Sequence, residues 1–253
     1  MSSGKVIILT GASRGIGLAA ANHLLKSSSN KIIAIARSKE PLEKLQSEYP
    51  DQVQILAGDL ADFSLGQQAV DLAKSTWNQL DGLIINHGVL DPVKRIADSD
   101  ANAWRSAFDV NVFSAIAMIK AALPSLRQSH GKIILVSSGA AVSAYSTWGC
   151  YGASKAVLNH LATTLAVEEP DVTTVSIRPG TVDTEMQREL REVHHKSMDP
   201  KDAEKFAMLK SSGKLLRPDQ PGNVMAKLAI GVGRELSGKF LNWNDKELAA
   251  FQE

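Results

Sequence analysis

The chain has 253 residues, 44% of them apolar and 22% charged, with a formal net charge of +1 at pH 7. This is the profile of a water-soluble globular protein, and its near-zero charge gives no electrostatic case for nucleic acid or an anionic membrane as partner. The single cysteine, Cys150, excludes an intrachain disulfide and agrees with a reducing compartment.

Met1 to Thr10 holds too short an apolar run for a signal peptide, and Phe251-Gln252-Glu253 matches no retention or peroxisomal address. The apolar stretch from Phe108 to Leu123 is interrupted by Asp109, Asn111 and Lys120, which does not suit a bilayer span. The cytoplasm is the expected location.

In chain order, Val- and Ile-rich runs recur at Val6–Leu9, Ile32–Ala36, Val53–Ala57, Leu83–Ile85, Ile133–Val136 and Val172–Ile177. Continuous rather than alternating apolar runs indicate strands covered on both faces, as in a parallel sheet. Amphipathic segments of helical length separate them, at about 15–28, 39–48, 64–79, 100–128 and 152–168. A further helix near 220–231 precedes a last strand within Gly238 to Trp243. This alternation predicts right-handed crossovers and an α/β fold: one doubly wound, Rossmann-type parallel sheet of about seven strands with helices on both faces. No linker, low-complexity segment or repeat divides the chain, so residues 1–253 are expected to form a single domain. One stretch, about 183–218, is polar and strandless; it reads equally as a binding-loop insertion or as a solvated helical excursion.

The first strand runs into Thr10-Gly11-Ala12-Ser13-Arg14-Gly15-Ile16-Gly17, which opens into a helix. A pyrophosphate held by such a turn needs close backbone approach, and the helix start adds unpaired N–H groups and partial positive charge. The end of the second strand then chooses the dinucleotide. An NAD site places a carboxylate there to bond the ribose 2′-hydroxyl. This chain has Arg37-Ser38 instead, and with Arg14 the guanidinium of Arg37 suits a 2′-phosphate. NADPH is therefore the expected cofactor.

Tyr151 and Lys155 stand four apart on one helical face. A free phenol has a pKa of about 10 and is a poor acid or base near neutrality, but nearby cations favour its ionised form. A shift of about 3 units needs roughly 4 kcal/mol of differential stabilisation, within reach of two close cations in a partly dry site. Ser138 follows the fifth strand, Asn86-His87-Gly88 follows the fourth, Asn111 lies in the helical segment after that, and Arg178-Pro179-Gly180 follows the sixth. All the strand-end groups fall at the carboxyl edge, where open α/β sheets bind ligands.

Taken together these motifs resemble the short-chain dehydrogenase/reductase family over essentially the whole chain: the glycine turn, Gly58-Asp59-Leu60, Asn86-His87-Gly88, Asn111, Ser138, Tyr151 with Lys155, and Pro179-Gly180. Ser138 precedes Tyr151 by thirteen residues, as in that family. The resemblance implies that Tyr151 protonates a carbonyl oxygen while hydride reaches the carbon. It implies that Lys155 lowers the tyrosine pKa and binds the nicotinamide ribose, that Ser138 polarises the substrate oxygen, and that Asn111 anchors a water in a proton relay. Gly11, Ser13, Arg14, Gly15, Ile16 and Gly17 would hold the pyrophosphate end, with Arg37 and Ser38 at the 2′-position. Asp59 and Leu60 would border the adenine, and Asn86 and Gly88 would line the cleft. Val182 and Thr184 would meet the carboxamide, and Pro179 and Gly180 would also contact the cofactor. His87 departs from the alanine frequent in the family, and a structural role is expected of it.

Within the family, Ser146 to Tyr151, Ala36-Arg37-Ser38 and Val182 to Met186 are similar to fungal benzil reductases, themselves similar to sepiapterin reductases. That implies reduction of one carbonyl of a 1,2-diketone, with Tyr145, Trp148 and Met186 placed to wall an apolar pocket; core packing explains Trp148 equally well. A 3-oxoacyl carrier-protein reductase shares every catalytic group, and a non-catalytic NADPH sensor is the reading from another class. A nucleotide-sugar epimerase is disfavoured by chain length and glycine spacing. Cys150 reads as inert packing, and the adjacent His194 and His195 do not suggest a metal site. By resemblance the protein is expected to form a homodimer or homotetramer through the helices near 100–128 and 152–168.

Overall fold

The computed structural model describes residues 4–252. Residues 1–3 and Glu253, on which the expectations about leader and address partly rest, lie outside the described residues.

Seven strands form one parallel sheet in the order β3-β2-β1-β4-β5-β6-β7. These are β1 (Val6–Thr10), β2 (Lys31–Ala36), β3 (Val53–Ala57), β4 (Gly82–Ile85), β5 (Lys132–Val136), β6 (Thr173–Arg178) and β7 (Phe240–Asn242). Every predicted strand is present within a residue or two of its expected bounds. Side chains alternate between two cores. Ile7, Leu9, Ile32, Ala34 and Ile84 face one layer of helices, α1 (Gly15–Leu25), α2 (Lys39–Glu48) and α9 (Asp219–Gly231). Ile8, Ile33, Leu83, Ile85 and Leu135 face the other, α3 (Ser64–Trp77), α5 (Ser114–Ser129) and α6 (Gly149–Glu168). Burial on both faces is why these strands read as unbroken apolar runs.

The long helix expected over 100–128 is not continuous. It is α4 (Ala101–Phe108), a π-turn at Asp109–Phe113, and then α5. An 18-residue stretch within 101–129 is long and apolar enough to suit a membrane by length and hydropathy alone. Here Ala115, Met118, Ile119, Ala122 and Leu126 pack it into the core, against α3 among others.

The polar stretch after β6 holds α7 (Glu185–Glu192) and α8 (Pro200–Ser211). It is tied to the body where Leu216 N–H donates to the Thr181 carbonyl at 2.9 Å and Asp183 N–H donates to the Leu216 carbonyl at 2.8 Å. A Lys210–Asp183 ion pair at 2.7 Å and a pair between Arg95 and Asp199 add to this. A short α10 (Ala249–Gln252) completes the described chain.

Candidate active site

The strand order reverses between β1 and β4, the point at which an open α/β sheet leaves a crevice at its carboxyl edge. A cleft of about 690 Å³ opens there, in the range of ligand and cofactor sites. Its floor is the glycine turn. Gly11 has φ +66°, which an L side chain rarely adopts, and a Cβ on Gly17 would lie 2.1 Å from the Gly11 carbonyl oxygen. Asn86 clamps the turn from the end of β4, donating from Nδ2 to the carbonyls of Thr10 (3.1 Å) and Gly11 (3.2 Å). Backbone is thereby exposed where a side chain would block it, at the start of α1. The residues fit a dinucleotide pyrophosphate.

At one end of the cleft stand Arg14 and Arg37, both exposed, with Ser38 and Asp59 beside them. Among the described residues neither arginine forms an ion pair or a side-chain hydrogen bond with the protein. At the other end Ser138 and Tyr151 both line the cleft, and the Ser138 hydroxyl favours the ionised form of the phenol. The Ala140 N–H donates to Ser138 Oγ at 3.1 Å, which occupies an acceptor site and leaves the hydroxyl proton free to be donated. Burial pushes the Tyr151 phenol above its ordinary range, and the Ser138 hydroxyl opposes this. Lys155, one turn along α6, is buried; its ammonium donates to the Val136 carbonyl at 2.9 Å and lies 5.8 Å from the centre of the Tyr151 ring. Burial lowers its pKa to about 8. In the protein alone desolvation of the phenol dominates, so the net shift of Tyr151 is upward.

The remaining expected residues are placed as follows. Ser13, Gly15, Ile16, Leu60, Gly88 and Pro179 line the cleft, as do Gly180, Val182 and Thr184. Thr184 caps α7, and its methyl group would lie 3.2 Å from a Cβ on Gly15. Gly17 and Asn111 sit behind the wall instead. Asn111, 1% exposed, accepts from Val89 N–H at 2.8 Å and donates to the Val89 carbonyl at 2.9 Å and to Ser154 Oγ at 3.1 Å. Its amide therefore shapes the 88–90 segment that flanks the ammonium of Lys155. Cys150 is buried, and desolvation raises its thiol pKa to about 11, which keeps it protonated.

Of the opposite wall, sequence reasoning named Tyr145, Trp148 and Met186 but missed Phe206, Leu90 and Leu190. Trp148 stacks on Phe206 of α8 (centroids 5.5 Å apart, planes at 13°), lies 4.9 Å from Tyr145, and meets Tyr151 edge-on at 5.9 Å. Leu90, Leu190 and Met198 pack in the same cluster. The two readings of Trp148, pocket wall and packing, are both realised. The two readings of the 183–218 stretch merge similarly, since it is helical and it supplies Leu190 and Phe206 to the cleft.

Fold and site together define a dinucleotide-dependent oxidoreductase of the doubly wound α/β class. The short chain dehydrogenase family model matches residues 5–195, and the chain belongs to that family. An uncharacterised oxidoreductase of Saccharomyces cerevisiae is 40% identical over 98% of this chain and 99% of its own length. The crystal structure of that yeast protein superposes with a TM-score of 0.97 over 99% of this chain and 100% of its own. The benzil reductase ((S)-benzoin forming) of the same yeast is also 40% identical, over 98% of this chain and 99% of its length. A Shigella flexneri short chain dehydrogenase crystallised with NADP has a TM-score of 0.78 at 25% identity, covering 95% of this chain and 97% of its own. The protein is an oxidoreductase acting on carbonyl or hydroxyl groups.

Proposed function

We propose that the chain reduces a ketone or 1,2-diketone at the expense of NADPH, with Tyr151 as the proton donor. The carrying observation is that one cleft joins two exposed guanidiniums and a glycine cradle at one end to Ser138 and Tyr151 beside buried Lys155 at the other.

When bound, the nicotinamide supplies hydride to the carbonyl carbon. Everything else falls to this chain. Gly11 to Gly17 and the start of α1 hold the pyrophosphate. Arg14 and Arg37 meet a 2′-phosphate with charge-assisted hydrogen bonds, the reason for choosing NADPH over NADH. The Ser138 hydroxyl, its oxygen already engaged by Ala140 N–H, donates to the substrate oxygen and holds it against Tyr151. Tyr151 stays protonated because it is buried, the state a general acid needs for reduction. As its proton leaves for the nascent alkoxide, the Lys155 ammonium offsets the phenolate charge in a dry setting where such interactions are strong.

The aromatic wall selects the substrate. Tyr145, Trp148 and Phe206 offer ring faces and edges within 6 Å of one another, suited to an aryl group beside the reacting carbonyl. The kinship with a yeast enzyme named for benzil reduction supports the same substrate class. The test is oxidation of NADPH against benzil, diacetyl, sepiapterin, an acetoacetyl thioester and simple aldehydes, with NADH in parallel. Diketone turnover that favours NADPH is expected. Turnover confined to the thioester, or equal use of NADH, would overturn the reading.

A further inference from the structure

His87 follows β4, next to Asn86 of the glycine clamp and one residue before Gly88, and only 9% of it is exposed. Its ring nitrogens have partners on three elements. Nε2 lies 2.9 Å from the Val110 carbonyl oxygen and 2.8 Å from Ser114 Oγ, while Nδ1 lies 2.8 Å from Thr10 Oγ1. A carbonyl only accepts, so Nε2 carries a proton. Ser114 donates its own hydroxyl proton to the Val110 carbonyl at 2.5 Å, leaving its oxygen to share the Nε2 proton. Thr10 Oγ1 has two groups in reach of its one proton, Nδ1 at 2.8 Å and the Ile84 carbonyl at 3.2 Å, and it accepts the Asn86 N–H at 2.9 Å. The Val110 carbonyl thus fixes a proton on Nε2, and burial keeps the ring neutral, its pKa lowered from 6.5 to about 3. Among charged groups, Lys155 of α6 disfavours protonation of the ring and Asp59, after β3, opposes that effect.

The Val110 carbonyl belongs to the π-turn Asp109–Phe113, and the next residue is Asn111. A π-turn widens the helix and redirects the residues it carries. Here it aims Asn111 at both backbone groups of Val89 and at Ser154 Oγ, which in turn donates to the Tyr151 carbonyl at 2.8 Å. A Cβ on Gly88 would lie 3.2 Å from Lys155 Nζ and 3.3 Å from Asn111 Oδ1, so the placement of this turn sets the space around the ammonium.

We propose that His87 is a positioning residue for the proton-donating site: as a neutral imidazole it ties the π-turn to the ends of β1 and β4 and, through Asn111, fixes the 88–90 segment against Lys155 and Tyr151. The inference rests on the assignment of Tyr151 and Lys155 as the reacting pair. It makes Nε2 the essential atom and Nδ1 the secondary one. Glutamine places an amide N–H near the Nε2 position, whereas asparagine reaches only as far as Nδ1.

The experiment compares His87→Ala, His87→Gln and His87→Asn with the wild type in NADPH-driven diacetyl reduction. It reads kcat, KM for NADPH and the alkaline limb of the pH profile, with Tyr151→Phe alongside. The alanine and asparagine variants are expected to lose about tenfold or more in kcat and to displace the limb, with KM for NADPH changed less than about threefold. The glutamine variant is expected to recover most of both. Equal behaviour of the glutamine and asparagine variants, or a loss of kcat with the limb unmoved, would overturn the inference; the glutamine–asparagine comparison stands even where alanine fails to fold. Full turnover by Tyr151→Phe would instead overturn the assignment of the reacting pair, a distinct result.

Discussion

The ammonium of Lys155 lies 5.8 Å from the centre of the Tyr151 ring, tethered to the Val136 carbonyl rather than to any carboxylate. A buried cation held only by a neutral acceptor gives up its proton easily, and its pKa falls to about 8. Tyr151 is shifted upward, so over the same range it remains the acid. The cation is present below about pH 8 and lost above it. For reduction, kcat/KM should therefore be level at neutral pH and fall as pH rises through about 8, because this ratio reports free-enzyme ionisations. A profile flat to about pH 10 would detach Lys155 from the chemistry.

Arg37 should decide between the two nicotinamide cofactors. With no ionic partner among the described residues, its guanidinium is free for a 2′-phosphate. Arg37→Asp should cut the NADPH/NADH ratio of kcat/KM by about 10- to 100-fold, the scale of one or two charge-assisted hydrogen bonds. An unchanged ratio would refute the assignment.

Trp148 and Phe206 form one stacked wall, so either truncation should widen the pocket on the same side. Trp148→Ala and Phe206→Ala should each raise KM for benzil by about tenfold or more while altering KM for diacetyl much less, since only the larger substrate covers that apolar area. Equal changes for the two substrates would count against a pocket role.

His87 offers a measurement on stability that needs no substrate. Its imidazole is pushed from 6.5 down to about 3 by burial, and by Lys155 next. Between those values the unfolded chain binds a proton that the native state refuses. Stability is therefore lost as pH falls through that window, by up to about 1.4 kcal/mol per pH unit. His87→Gln removes the titrating group, so its urea midpoint should decline less steeply than that of the wild type between neutrality and mildly acidic pH. Parallel declines would mean that the ring is not held neutral.

How much of this was legible in the chain follows from where each signal resides. Strands buried on both faces leave continuous apolar runs, and Ile32 to Ala36 is readable for that reason. The glycine turn, Ser138, Tyr151 and Lys155 are local in sequence or fixed in spacing, so they too could be found. The π-turn could not: apolar residues run on through Ala107, Val112 and Ala115, and nothing in that periodicity marks one extra residue. Phe206 is the only buried residue of α8, too little to give an otherwise polar helix a readable face. The partners of His87 lie 23, 27 and 77 residues away, and one of them, Val110, belongs to the π-turn.

The most direct test of the proton-donating role is Tyr151→Phe, which removes one hydroxyl and leaves the ring that packs against Trp148. NADPH binding, followed by fluorescence titration, should be retained within a few-fold, while diketone reduction should fall by about 10²- to 10⁴-fold, the range for a lost general acid. Turnover near the wild-type rate with unaltered NADPH binding would contradict the role given to Tyr151 and send the search for the proton donor elsewhere in the cleft.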